Sequence, residues 1–215
     1  MNHRLGAAAV LVLAAALACR EPTPPSRGGT YNFADTIPPD TIQAFHWPSD
    51  RLPVRFYAVP QGNLPFLVQR AVDTWAALFL YGEFTGALVS DSTRADIIAA
   101  WSSTVPPDVP PDTGTAVFAC QEFINLPAVD SVTHRFKGPF HIFITVLGGY
   151  TPGQVQACLR RTMIHEVGHG LGLLLHSPAP DDIMNITPTV NVPSEQDRRT
   201  AEVLYHTPAT ILPPP

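Results

Sequence analysis

The chain has 215 residues, room for one domain of ordinary size with short extensions rather than two full domains. Apolar residues at 45% supply a core and exclude global disorder. The 13 basic against 18 acidic side chains, a net charge of -5, argue against a nucleic-acid-binding face and against a polybasic membrane-surface module.

The amino terminus reads as an address. Asn2-His3-Arg4 is a positive start, and Leu5 to Ala18 is an apolar run too short to span a bilayer comfortably but suited to a signal-peptide core. It ends in Ala16-Leu17-Ala18-Cys19, which resembles the lipobox of bacterial lipoproteins. That resemblance implies cleavage before Cys19 and a lipid on its thiol, with the protein exported to the bacterial cell envelope and held at a membrane. A plain signal peptide cut near Ala18, giving a secreted protein, is the alternative. Residues 1–18 are then the signal peptide and 19–45, rich in Pro, Thr, Ser, Gly and Asp, a flexible tether. Folded structure is expected from 46 to 209, followed by a Pro-rich tail at 210–215. Two further cysteines, Cys120 and Cys158, most simply pair in an oxidising compartment, contributing roughly 3–4 kcal/mol by chain entropy; two buried free thiols are the alternative.

Within the domain, Leu52 to Val59 reads as a strand and Pro60-Gln61-Gly62-Asn63 as a turn. Leu64, Leu67, Val68, Ala71, Val72, Trp75, Leu78 and Phe79 then recur at helical spacing, predicting a long amphipathic helix. Phe84–Val89, Ala95–Trp101 and Thr115–Phe118 read as strands. Phe140–Val146 is the strongest strand signal, with Ile142, Ile144 and Val146 on one face. Thr151-Pro152 starts a helix that should stop at Gly170 to Gly172. The layout is α+β, one sheet packed on helices.

The chemistry lies in that last helix. His165 and His169 are one turn apart in His165-Glu166-Val167-Gly168-His169, so both imidazoles point the same way and can take two corners of a zinc tetrahedron. Glu166 falls beside the metal position, where it can take a proton from water. Gly172 allows the chain to turn back and His176 to supply a third ligand, leaving one position open, as in a catalytic zinc site. A downstream carboxylate, Asp182, Glu195 or Glu202, is the competing third ligand.

His165 to Gly172, then His176-Ser177-Pro178, then Asp182-Ile183-Met184, resembles the metzincin metallopeptidases, most closely their matrixin-type bacterial branch. Trp47 to Tyr57, Ala95 to Ile98 and Pro193 to Tyr205 are similar to that branch's first strand, third strand and closing helix, the last capped by Ser194. The third histidine falls one residue later than the usual family spacing, with Leu175 in the expected place. The resemblance implies a twisted mixed sheet over the two helices, one catalytic zinc on His165, His169 and His176, Glu166 as general base and acid, and Met184 in a tight turn below the metal. It implies a zinc-dependent endopeptidase hydrolysing peptide bonds through a zinc-bound water. An edge strand, at residues 113–119, would hold an extended peptide or protein substrate. A second, structural metal is not expected; His134 and His141 read as solvated or structural. A monomer is the simplest state. The alternative function is a membrane-anchored binding protein on the same scaffold with non-catalytic zinc.

Overall fold

The computed structural model describes residues 29–37, 41–103 and 119–215. The expected signal peptide, Cys19, the strand at Thr115–Phe118 and most of the expected edge strand lie outside them. Strands β1 (Asp35–Ile37) and β2 (Thr41–Gln43) form a small antiparallel pair. The main sheet contains β3 (Val54–Ala58), β4 (Gly86–Leu88), β5 (Ile97–Trp101), β6 (Cys120–Asn125) and β7 (Phe140–Val146) in the order β4-β3-β5-β7-β6. All neighbours are parallel except β6, which pairs antiparallel with β7 and forms one edge. Among the described residues three α-helices complete the α+β fold: α1 (Leu64–Ala76), α2 (Pro152–Leu171) and α3 (Glu195–Tyr205).

One face of the sheet carries the core. Val54, Phe56 and Ala58 on β3, Ile97 and Ala99 on β5, and Phe140, Ile142 and Ile144 on β7 are buried at alternate positions, as strand geometry dictates. The α1 stripe Leu64, Leu67, Val68, Ala71, Val72 and Trp75 packs against them and against α2. Trp75 crosses the helix pair, donating its indole N–H to the Ile164 carbonyl at 2.7 Å. Helix α1 stops at Ala76, short of the predicted Phe79. Leu78 and Phe79 still lie on the core, carried there by turns closed by Leu78 N–H to Trp75 O and Phe79 N–H to Ala76 O.

Residues flanking the domain also pack on it. The proposed tether is packed in part: Tyr31, Ala34, Ala44 and Phe45 are buried. Their scarcity in a polar stretch hid them, but Tyr31, Ala44 and Phe45 find partners from distant segments. Tyr31 bonds α3, and the Phe45 ring meets Trp47, Phe136 and Phe140 at 5.0–5.4 Å between centroids. The tail is also packed. Ile211 is buried, Leu212 exchanges backbone hydrogen bonds with His134 and Phe136, and Arg51 and Arg135 donate to the Pro214 and Pro213 carbonyls. Prolines lack the N–H but keep a carbonyl acceptor, so a Pro-rich end can still be tied down. Among the described residues no helix is long and apolar enough to cross a membrane.

Candidate metal centre

Helix α2 is fixed at both ends. Thr151 caps it in a reciprocal box with Gln154: the Gln154 N–H donates to Thr151 Oγ1 at 3.3 Å, and the Thr151 N–H to Gln154 Oε1 at 2.9 Å. At the other end Gly172 adopts φ 119°, the left-handed region that glycine occupies without strain. A side chain there would also collide with the Phe45 carbonyl. This turn reverses the chain after the second histidine. A second constraint folds the next segment back: Ser177 N–H donates to Met184 O at 2.8 Å and Asn185 Nδ2–H to Ser177 O at 3.0 Å.

The result brings three imidazoles together. His169 Nε2 lies 3.0 Å from His165 Nε2 and 3.3 Å from His176 Nε2. The other ring nitrogens face backbone carbonyls, His165 Nδ1 to Ile183 O at 2.7 Å and His169 Nδ1 to Leu173 O at 2.6 Å. A carbonyl only accepts, so in these two rings Nδ1 carries the proton and Nε2 presents a lone pair. Two lone pairs 3.0 Å apart repel unless a cation lies between them. Burial also keeps the rings neutral: it pushes His165 down to about 4, lowers His176, and with the charges of His165 and His176 holds His169 well below the ordinary histidine value. At the metal–nitrogen distances of about 2.0–2.1 Å usual for zinc, a tetrahedron spaces its nitrogens about 3.3 Å apart. The three donors therefore fit a small divalent ion. His165 and His169 are buried and His176 is exposed, so the cluster faces solvent on one side.

The competing carboxylates are engaged elsewhere. Asp182 accepts from the hydroxyls of Ser177 and Ser194. Glu195 pairs with Arg198 and Arg199, and Glu202 with Arg198. His134 sits in a turn at φ 52°, and His141 lies on the sheet stacked on Phe143 at 5.9 Å; neither joins the cluster.

Glu166 is buried at 3% exposure, and among the described residues its Oε2 has no hydrogen-bond partner. A buried orphan oxygen is costly. Burial, then the charge of Glu122, hold this carboxyl well above the ordinary glutamate value. Met184 is fully buried and lies against Gly168, between the two helical histidines.

Glu122 is a site neighbour that motif spacing does not reveal. It follows from the bond between Cys120 and Cys158, whose Cα atoms are 5.9 Å apart. Cys120 and Glu122 share one face of β6. Cys158, Thr162 and Glu166 follow at i, i+4 and i+8 along α2. The disulfide sets that register. Burial pushes the Glu122 carboxyl up to about 7, against the opposing pull of Thr162 and Arg161, and its charge acts on Glu166. Among the described residues β6 at Cys120–Asn125 is the antiparallel edge of the sheet, while the predicted edge strand at 113–119 lies almost wholly outside them. The alternation of Gln121, Glu122 and Asn125 with apolar residues is too weak a strand signal to read from sequence.

No protein-family model matches the chain, and no curated protein matches it; what its geometry shows is a three-histidine cluster that resembles a metal site.

Proposed function

We propose that the protein is a zinc-dependent endopeptidase of the metzincin type, with His165, His169 and His176 holding the ion and Glu166 acting as general base and then general acid. The observation that carries this reading is the Glu166 carboxylate oxygen without a partner among the described residues, buried beside three converging imidazoles. A purely structural site has no use for a buried carboxylate left without a donor. Bound there, the ion would polarise a peptide carbonyl and acidify water. Glu166 lies beside the ion position, where the cation's charge would favour its carboxylate form, suited to take a proton from that water and give it to the departing amine. His165 and His169 keep their Nδ1–H groups on carbonyls, which orients their rings. Strand β6 would hold an extended peptide along its free edge. The wall after α2 is braced by the Arg161 guanidinium on the Pro188 carbonyl at 2.9 Å. Export and a lipid anchor at Cys19 belong to the same proposal and rest on the sequence.

The test is cleavage of a mixed peptide library by the zinc-loaded protein beside Glu166→Ala. Cleavage by the parent with at least about 10²-fold less from the variant, at equal bound zinc, supports the assignment. Zinc binding without cleavage by either protein would overturn it in favour of a binding scaffold.

A further inference from the structure

Resting on the metal-site reading above, we infer that Tyr31 is a positioning residue for the site, acting through Asp197 and the Ile183–Met184 backbone on His165. Tyr31 lies far upstream of the histidines in sequence, yet its ring is buried at 6% exposure against the start of α3. Its hydroxyl donates to Asp197 Oδ1 at 2.9 Å, and its own N–H donates to Thr200 Oγ1 at 3.3 Å.

Asp197 is fully buried. Its partners are four donors: Tyr31 O–H, the Ile183 N–H at 2.8 Å, the Ser194 N–H at 2.8 Å and the Met184 N–H at 3.3 Å. A buried carboxylate is tolerated only when its lone pairs are satisfied. Removing one donor of four shifts the remaining bonds, and two of those define the turn at Ile183 and Met184. The other side of that turn is the Ile183 carbonyl that receives His165 Nδ1–H at 2.7 Å. Tyr31, Asp197, the Ile183–Met184 peptide (Met184 N–H to Asp197, Ile183 O from His165) and His165 thus form one hydrogen-bonded chain, ending on a ring whose orientation and basicity depend on that last bond. The simpler alternative is that Tyr31 only anchors the upstream segment to α3.

The two alternatives separate in a cobalt titration of the metal-free full-length protein, with Tyr31→Phe and Thr210→Val compared with the parent. Tyr31→Phe keeps the buried ring and removes only the hydroxyl. Thr210→Val removes different bonds to the same segment, Ala44 N–H to Thr210 Oγ1 at 2.9 Å and Thr210 O–H to Ala44 O at 3.4 Å, and none of these involves Asp197. The inference expects about a tenfold loss of cobalt affinity in Tyr31→Phe, the low end of what orienting partners of metal ligands contribute, with altered visible absorption bands. Thr210→Val should keep the parent affinity and bands. Parent-like bands and affinity in Tyr31→Phe, or equal losses in both variants, would overturn the positioning role and leave Tyr31 an anchor. Absence of cobalt binding by the parent would overturn the metal-site reading and the inference together, a result distinct from a change confined to the variants.

Discussion

Gly168 packs against Met184 with no space for a methyl group between them. A Cβ on Gly168 would overlap the Met184 sulfur and lie 2.8 Å from Trp75 Cζ2. Both neighbours are fully buried, so neither can swing into solvent. The glycine between the histidines therefore serves close packing of the turn under the helix. Gly168→Ala gains about 1 kcal/mol in helix propensity but overpacks a closed site, which costs typically 1–3 kcal/mol or more. A net loss of stability is expected in urea unfolding, together with weaker metal binding as Met184 and the neighbouring Ile183 carbonyl shift. Unchanged stability would show that the turn is free to move.

Metal removal should reveal the repulsion between the His165 and His169 rings. With free ion at 100 times its dissociation constant, binding adds about 2.7 kcal/mol to folding stability, so a strong chelator should lower the melting temperature by several degrees. His165→Ala and His169→Ala should each abolish that metal-dependent increment. Asp182→Asn, Glu195→Gln and Glu202→Gln should retain it, because those carboxylates are committed to serines and arginines. Loss of the increment in a carboxylate variant, with His176→Ala unaffected, would assign the third ligand to that carboxylate.

Much of this was legible before any coordinates. The α1 stripe through Trp75, the alternation through Ile144 and the Thr151 and Gly172 helix boundaries are local signals that appear where the pattern puts them, while α1 ends before Phe79 and Val146 is exposed. The triad of histidines was legible because helix periodicity places two of them and a glycine turn returns the third. What sequence could not show are features made only by distant partners. Tyr31 has no periodic neighbours and becomes a buried residue through Asp197. Glu122 becomes a site neighbour through the Cys120–Cys158 register. The Pro-rich tail gains its place from carbonyls that Arg51 and Arg135 reach.

Acid should weaken the fold through Asp96. This buried carboxylate accepts from Arg55 Nη2 at 2.6 Å, Arg55 Nε at 2.9 Å and the Arg55 N–H at 2.9 Å, and from Arg51 at 3.3 Å. Burial alone would push its pKa up. The hydrogen bonds from Arg55 and the charges of Arg55 and Arg51 more than offset this and hold it below the ordinary aspartate value. A depressed folded pKa means stability that is fully present above the unfolded pKa of about 3.9 and is lost as pH falls through the folded value. Asp96→Asn should therefore be less stable than the parent at pH 7, by about 1–3 kcal/mol for a lost charged acceptor. The gap should narrow below pH 4. A gap that stays constant from pH 7 to pH 3 would show that Asp96 does not stabilise the fold through its charge.

The disulfide should hold the edge strand to the helix that carries the histidines. Cys120 is the first residue of β6, and Cys158 lies two turns before His165 on α2. Closing a loop of 38 residues is worth about 4 kcal/mol in the chain-entropy model, a large share of the 5–15 kcal/mol typical of a domain. The bond spans β6 and α2 but not the ligands themselves, whose orienting carbonyls come from Leu173 and Ile183. Cys120→Ser combined with Cys158→Ser should thus lower unfolding stability by roughly that amount. It should speed amide exchange along β6 and leave metal affinity within about threefold of the parent, in line with a site held by other bonds. Slow exchange along β6 with metal affinity lost would reverse the assignment, placing the bond's role in the histidine site and not in the strand.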